Sequence, residues 1–209
     1  MCGQQADMRG DRGFIQIVDA ALAEAARKSG AWLVCRPGCS ECCLGPFPIT
    51  QLDAERLREG LAELQAGDPA RAARVRRRAG DAVARMPEFA AGLAYDDAEF
   101  EARLASLPDE EPCPVLDPDT GTCDLYASRP VTCRTFGPPV RWGGDAVGVC
   151  ELCFAGAGDE EIAACKVELD IVDREAALVR ERERLTGAKG QTLVALALIN
   201  RPVRSPVST

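Results

Sequence analysis

The chain has 209 residues, a formal net charge of −8 and a hydrophobic content of 46%, and aromatic residues make up only 5% of the chain. This length favours one domain with appendages, and the low aromatic content favours a core of packed Ala, Leu and Val on helices. The acidic balance argues against a general nucleic-acid-binding protein, which needs a basic face. No apolar run approaches the roughly 18 residues of a membrane span, and no secretory signal is visible, so we expect a cytoplasmic protein that does not enter membranes.

The first two predicted helices have clear boundary signals. Apolar residues recur at helical spacing over 12–29, where Asp11 is the expected N-cap and Gly30 the stop. Thr50 is expected to open a second helix over 51–65, with Asp53 as its capping-box partner. Further helices are predicted over 69–85, 97–107, 159–165 and 170–185, and the many arginines of 69–85 predict a solvated face.

Pro and Gly residues mark the turns between the predicted elements. The turn residues 117–121 predict a small hairpin, and Pro130 is expected at the first position of one helical turn ending at Cys133. A strand pair is predicted over 140–149 around Gly143-Gly144. The apolar segment 192–199 has the pattern of either a strand or a helix.

These elements predict a mainly α fold with an irregular cysteine-rich metal-binding lobe and a small β-hairpin. We expect a single domain over 1–209, made of an N-terminal helix (1–34), a cysteine-cluster core (35–155) with inserted helices at 51–107, C-terminal helices (156–200) and a tail (201–209).

The chain contains 11 cysteines and no histidine. In a reducing compartment, cysteines at short spacings are more often metal ligands than disulfides. Because imidazole ligands are absent, a soft-metal site must be all thiolate or thiolate plus carboxylate, as in iron–sulfur and cysteine-only zinc sites. The candidate metal ligands are Cys35, Cys39, Cys42, Cys43, Cys113, Cys123, Cys133, Cys150 and Cys153.

Spacing leaves the grouping of these nine thiols open. Cys39-x2-Cys42 and Cys150-x2-Cys153 are compact metal-binding knuckles, whereas the adjacent side chains of Cys42 and Cys43 point in different directions. The nine could fill two four-thiolate sites with one left over, or one site with several spectators. Two cysteines are excluded: Cys2, expected at a mobile end, and Cys165, expected as a small buried hydrophobe.

Three polar side chains are candidates for cofactor binding beside the thiols. Arg129 and Arg134 flank Cys133, and a guanidinium stabilises nearby thiolates and a negative cluster. Tyr126 could donate its hydroxyl group to a sulfur. The alternative is that the arginines lie at the surface or pair with Asp and that Tyr126 packs in the core; for Phe136 we expect a core position.

Four motifs follow one another along the chain: Cys35-x3-Cys39-x2-Cys42-Cys43, Cys113-Pro-x-Leu, Gly121-x-Cys123-x2-Tyr126 and Arg129-Pro-x2-Cys133-Arg134-x-Phe136. Together they resemble the motifs of the YkgJ-like cysteine-cluster proteins, also described as the CxxCxxCC zinc- or iron-chelating domain. The resemblance covers roughly residues 35–155. The three-residue gap after Cys35 departs from the two that the family name implies. The resemblance implies metal chelation, in proteins often labelled iron–sulfur oxidoreductases. A flagellin lysine methylase shares the cysteine motif, although no substrate-binding residue can be matched here.

Other chemistries have less support in the sequence. The spacing of Cys35, Cys39 and Cys42 is also that of radical S-adenosylmethionine enzymes, but a helix rather than a barrel strand is predicted before it. Thiol–disulfide exchange at Cys150 and Cys153 would favour a thioredoxin-like strand–helix setting, which is not predicted. Without histidine, no Ser-His or Cys-His pair can form.

The sequence therefore favours an iron–sulfur cluster protein with a redox role, an oxidoreductase if it is an enzyme, with a redox partner protein. The alternative is a zinc-chelating module with a structural or storage role and no catalysis.

Overall fold

The computed structural model describes residues 2–89, 97–141, 149–169 and 172–199, apart from the side chains of residues 2–9, Glu88 and Asp97. The helices are Cys2–Ser29 (α1), Gln51–Gly67 (α2), Pro69–Ala84 (α3), Asp97–Leu104 (α4), Val131–Thr135 (α5), Asp159–Cys165 (α6), Val172–Thr186 (α7) and Val194–Ile199 (α8). The strands are Pro48–Ile49 (β1), Leu116–Asp117 (β2), Thr122–Cys123 (β3), Val140–Arg141 (β4), Val167–Glu168 (β5) and Thr192–Leu193 (β6). Short 3-10 turns cover Gly30–Trp32, Glu41–Cys43, Pro87–Phe89 and Tyr126–Ser128.

The chain divides into two compact units. Unit 1 comprises residues 1–36 and 131–181, and unit 2 comprises residues 37–130 and 182–209. The mainly α fold with a small hairpin, predicted from the sequence, is confirmed. None of the described helices is long and apolar enough to cross a membrane.

Helix α1 organises unit 1. Phe14, Val18 and Leu22 recur every four residues and are buried against Val131 of α5 and Leu169 after β5. The predicted start at residue 12 is wrong, because α1 already begins at Cys2. No proline interrupts residues 2–11, so the helix continues through Asp11, which is buried inside α1 rather than capping it. Cys2, which the sequence excludes as a ligand, is the first residue of α1.

The strand at Val140–Arg141 has a distant partner. It pairs in parallel with β5, with Val140 opposite Val167 and Arg141 opposite Glu168. This differs from the predicted local strand pair, whose turn at Gly143-Gly144 lies outside the described residues. A local pattern cannot reveal such pairing, because parallel strands need a long connection.

Helices α2, α3 and α8 pack around the main core of unit 2. The predicted capping box is confirmed: the Asp53 N–H donates to Thr50 Oγ1 (3.1 Å), and the Thr50 N–H donates to Asp53 Oδ2 (3.1 Å). Helix α3 begins two residues after the end of α2, with Pro69 in its first turn. The side chain of Asp68 accepts a hydrogen bond from the Arg71 N–H (2.9 Å). Its buried face consists of Ala72, Val75, Ala79 and Ala82.

The segment 192–199 contains both of the structures between which its sequence left the choice open. Thr192 and Leu193 form β6, which pairs antiparallel with β1, and α8 follows at once. Both pieces are buried, so apolar periodicity could not distinguish them.

The hairpin and the helical turn that follows it carry the cysteines of the middle region. Strands β2 and β3 confirm the hairpin, with Leu116 opposite Cys123. Helix α5 confirms a helical turn around Cys133, although it begins at Val131 and places Pro130 just before it. The predicted tail at 201–209 lies outside the described residues.

Candidate metal centre

The structure carries no disulfide among the ten cysteines whose side chains it describes. The division of the chain separates the candidate ligands into two sets. Unit 1 contains Cys35, Cys133, Cys150 and Cys153, together with the excluded Cys165. Unit 2 contains Cys39, Cys42, Cys43, Cys113 and Cys123.

Backbone hydrogen bonds hold two distant parts of the unit 2 motif together. The Cys113 N–H donates to the Cys43 carbonyl oxygen (2.8 Å), and the Gly45 N–H donates to the Glu111 carbonyl oxygen (2.9 Å). Leu44 and Pro112 between them form an antiparallel bridge. The Cys42-Cys43 turn is therefore fixed beside Cys113, some 70 residues later in the chain.

A pair of glycines brings the hairpin turn against the loop that precedes Cys39. Gly121 has φ +65°, and a Cβ atom built on it would lie 3.0 Å from the Gly38 carbonyl oxygen. Gly38 itself has φ +93°. Both positions need glycine, because an L side chain would be strained in this backbone region and one at position 121 would also press on the neighbouring backbone.

Three thiols of unit 2, those of Cys42, Cys113 and Cys123, have a raised pKa. The hydrogen bond between Cys42 and Cys43, followed by burial, raises the pKa of Cys42 far above its usual value. Burial raises the pKa of Cys113 to about 12 and also raises the pKa of Cys123. Burial disfavours the thiolate in each case, so a bound cation would have to supply the compensating charge.

Arg129 provides part of that positive charge. Its attraction lowers the pKa of both Cys42 and Cys123, against the larger effect of burial. The guanidinium carbon lies 3.7 Å from the ring centroid of Tyr126, which is 65% exposed. The alternative of core packing for Tyr126 is therefore wrong, and the ring face contacts Arg129. Donation of its hydroxyl group to a sulfur stays a prediction.

An ionic cluster beside Cys123 was missed in the sequence. The side chain of Asp124 is fully buried and accepts hydrogen bonds from Arg71 and Arg78 of α3. Arg78 also donates to the Pro114 carbonyl oxygen (2.9 Å). The sequence predicted that the arginines of α3 form a solvated face. Two of them instead bind Asp124 and so attach the cysteine hairpin to α3. The only sequence signal was an aspartate directly after a candidate ligand.

In unit 1, Gly137 contacts two cysteine-bearing segments. A Cβ atom at this position (φ +114°) would lie 3.1 Å from the Cys35 sulfur. The Gly137 carbonyl oxygen accepts the Cys150 N–H (3.3 Å). The Cys153 N–H in turn donates to the Cys150 carbonyl oxygen (3.0 Å), which closes the predicted knuckle into a turn.

Arg134 and Phe136, which follow Cys133, lie in different surroundings. Arg134 is buried and donates to Asp19 Oδ1 (2.6 Å), so the alternative of pairing with Asp describes its position. The expected core position of Phe136 is wrong, since the residue is 46% exposed just beyond the end of α5. Cys165 is buried, as expected, and its thiol donates to the Lys28 carbonyl oxygen (3.3 Å).

The donor chemistry of these residues fits a soft metal. The candidate ligands are thiols without a competing imidazole, and the missing Cβ of Gly137 leaves room beside the Cys35 sulfur. Across the described residues, no three Cys, Asp or Glu side chains are already grouped closely enough to hold a metal ion. The backbone thus places thiol-bearing segments side by side, while the side chains are not yet arranged around a common centre.

The sequence model of a family described as "CxxCxxCC: Putative zinc- or iron-chelating domain" matches residues 34–151, more than half of the chain. No curated protein and no solved structure matches.

Proposed function

The chain belongs to the CxxCxxCC family of zinc- or iron-chelating domains, and from this premise we propose that it carries an iron–sulfur cluster with a redox role. Metal binding by its cysteines is the coarser function that the family supports. The metal, the cluster and the redox role are our proposal. Thiolates are the ligands that both iron–sulfur clusters and cysteine-only zinc sites use.

The observation that carries the proposal is that segments of unit 2 distant in sequence hold their cysteines close together. The Cys42-Cys43 turn is bonded to Cys113, and the hairpin that carries Cys123 is held against the core by Asp124. We propose that four of the five thiols Cys39, Cys42, Cys43, Cys113 and Cys123 hold the cluster. The bound metal would supply redox chemistry, and the protein would hold and shield it.

Arg129 favours a negatively charged group at this place. It lies within electrostatic reach of Cys42 and Cys123, and a fixed cation near thiolate ligands stabilises an anionic cluster and raises its reduction potential. We propose Arg129 as a cluster-stabilising residue, with Tyr126 holding its guanidinium from the exposed side. The proposed activity also requires a redox partner protein.

The test is metal and acid-labile sulfide analysis of the full chain purified without oxygen, with an absorption spectrum before and after reduction. We expect iron and sulfide together, with a broad absorption near ~400 nm that bleaches on reduction. Cys165→Ser is the matched control, because Cys165 is a buried cysteine outside the proposed ligands, and it should keep the full metal content. Colourless protein with stoichiometric zinc and no sulfide would contradict the cluster.

A zinc module is the second candidate, and the Cys150-Cys153 turn favours it in unit 1. Cys153 is 3% exposed and lies in a small apolar cluster with Phe154. A zinc ion in such a setting contributes folding energy without catalysis. Zinc that stays bound while the protein undergoes no reversible reduction would support this candidate.

A further inference from the structure

Five large apolar side chains are exposed in one small region of unit 1. Each has 37–48% of its surface accessible to solvent, and they are Trp32, Val34, Phe136, Val149 and Leu152. Their segments are bonded to one another, since the Phe154 N–H donates to the Trp32 carbonyl oxygen (3.1 Å) and the Cys150 N–H donates to the Gly137 carbonyl oxygen (3.3 Å). Exposed apolar side chains that are grouped in this way mark an interaction surface.

The chain that follows Trp32 is extended and alternates its side chains. Leu33 has φ −89° and ψ 102°. A Cβ atom built on Gly137 would lie 3.4 Å from Leu33 Cδ1 and 3.1 Å from the Cys35 sulfur, so these two side chains point to the same side. Val34 between them points to the other side and is exposed, and Arg36, two residues further on, is exposed as well.

This segment has hydrogen-bonding groups that are not used inside unit 1. Neither Val34 nor Arg36 makes a hydrogen bond or an ion pair with another residue in the part of the chain that the structure describes. An extended segment with unused N–H and C=O groups is a template on which a second strand can pair.

We propose that a second copy of this chain pairs with the segment 32–36, antiparallel and about a two-fold axis at Val34. The same segment of both copies then forms the contact, as closed two-fold dimers require. The Val34 N–H donates to the Val34 carbonyl oxygen of the second copy, and symmetry gives the reverse bond. This inference goes beyond the proposed function and does not depend on a bound metal.

The register of this pairing makes the segment complementary to itself in charge. With Val34 on the axis, residue 32 of each copy lies directly opposite residue 36 of the other, on the same face of the ribbon. The Arg36 guanidinium therefore meets the Trp32 ring of the other copy, a cation–π contact that occurs twice. The Trp32 ring is already fixed in place, because it stacks on Phe154 with 6.0 Å between the ring centroids.

The exposed apolar area suits a weak dimer. The five side chains together expose roughly 400 Å² per copy, which is the size of the largest apolar patch on a typical monomer. Two such patches, with the paired backbone and the polar rim, bury about 1,200 Å², at the lower end of specific interfaces. We expect a dissociation constant on the order of 10–100 µM.

The experiment is sedimentation velocity of the full chain at about 1–200 µM in the presence of a reductant, so that mass action alone sets the dimer fraction. The unaltered chain should pass from monomer to dimer over this range. Val34→Glu places two like charges opposite each other on the axis and should weaken the dimer at least about thirtyfold. Val172→Glu is the matched control, since Val172 is 49% exposed at the start of α7, and it should leave the dissociation constant unchanged.

A second pair of variants tests the register. Arg36→Glu removes both cation–π contacts and should weaken the dimer at least about tenfold, whereas Arg36→Lys keeps the cation and should retain most of the affinity. Arg174→Glu makes the same change in net charge at an exposed position of α7 and should have no effect. Circular dichroism of every variant confirms that the helices are intact.

Three results would overturn the proposal. A chain that stays monomeric up to the highest concentration would leave the apolar surface to a different partner. A dimer that Val34→Glu and Val172→Glu weaken equally would lie elsewhere on the molecule. A dimer that disappears when reductant is added would be held by a disulfide bond rather than by strand pairing.

Discussion

The Cys113 N–H donates to the Cys43 carbonyl oxygen at 2.8 Å, and this bond joins two parts of the cysteine motif that are 70 residues apart. The helices α2, α3 and α4 lie between them in sequence. The inserted helices therefore act as a scaffold that places Cys113 beside the Cys42-Cys43 turn.

Cys39→Ser should destabilise the metal-loaded protein far more than the metal-free protein. Structural zinc binding by small peptides is worth roughly 10–16 kcal/mol, so we expect Cys39→Ser to cost about 3 kcal/mol or more when the protein is metal-loaded. In protein stripped by a chelator, the same substitution should change the free energy of unfolding by less than about 0.5 kcal/mol. Chemical denaturation of both forms is the measurement. Equal effects with and without metal would contradict a ligand role for Cys39.

Gly121→Ala should move the hairpin away from the Cys39 loop. The new methyl group would lie 3.0 Å from the Gly38 carbonyl oxygen, and the left-handed backbone would add about 1–2 kcal/mol of strain. Gly30→Ala is the matched control, because Gly30 has φ +51° and nothing within 4 Å of its new Cβ. Both variants should melt at lower temperature, but only Gly121→Ala should lose metal. Unchanged metal content in Gly121→Ala would contradict this positioning role.

Asp124→Asn should weaken the attachment of the hairpin to α3. The carboxylate is buried and accepts hydrogen bonds from Arg71 and Arg78, which are themselves partly exposed. We expect a loss of about 2–3 kcal/mol in the free energy of unfolding, less than for a fully buried pair, because solvent can reach the two guanidinium groups. Glu99→Gln, in the exposed pair with Arg103, should cost less than about 0.5 kcal/mol. Similar losses in urea denaturation would argue against the Asp124 cluster.

Thr50→Ala should shorten or loosen α2. The hydroxyl group accepts the Asp53 N–H, and its loss leaves that donor without the cap. The expected cost is about 1 kcal/mol, and Thr50→Ser should restore most of it because serine also caps helices well. Thermal denaturation of the three proteins is the measurement, and metal content should stay unchanged. A serine variant as unstable as the alanine variant would contradict the capping explanation.

Glu168 should make the stability of unit 1 depend on pH in the acid range. Hydrogen bonds from Arg141 and then Lys166 lower the pKa of Glu168 from 4.5 to about 2. A lowered pKa in the folded state means that this stabilisation is present above pH 4.5 and is lost as the pH falls through about 2. The free energy of unfolding should therefore fall more steeply over this range in the unaltered protein than in Glu168→Gln. Parallel curves would contradict the role of the Arg141 pair.

Local signals in the sequence predicted most of the helices well. Thr50 with Asp53 marks the start of α2, and Asp68-Pro69 marks the start of α3, because capping depends on residues within one turn. The start of α1 was misplaced, since Asp11 resembles an N-cap in sequence but lies buried within a helix that begins at Cys2. A cap residue is informative only where the preceding residues cannot be helical.

The sequence by itself determined the chemistry of this protein: nine clustered thiols without histidine allow only cysteine-based or carboxylate-assisted metal sites, and their motif order matches a chelating family. Tertiary structure alone decided which cysteines share a unit, how Arg71 and Arg78 meet Asp124, and why Gly137 lies against the Cys35 sulfur. The reason is physical. Ligand type and helix capping depend on residue identity and short spacing, whereas the partners of a thiol depend on long-range backbone pairing that no local pattern encodes.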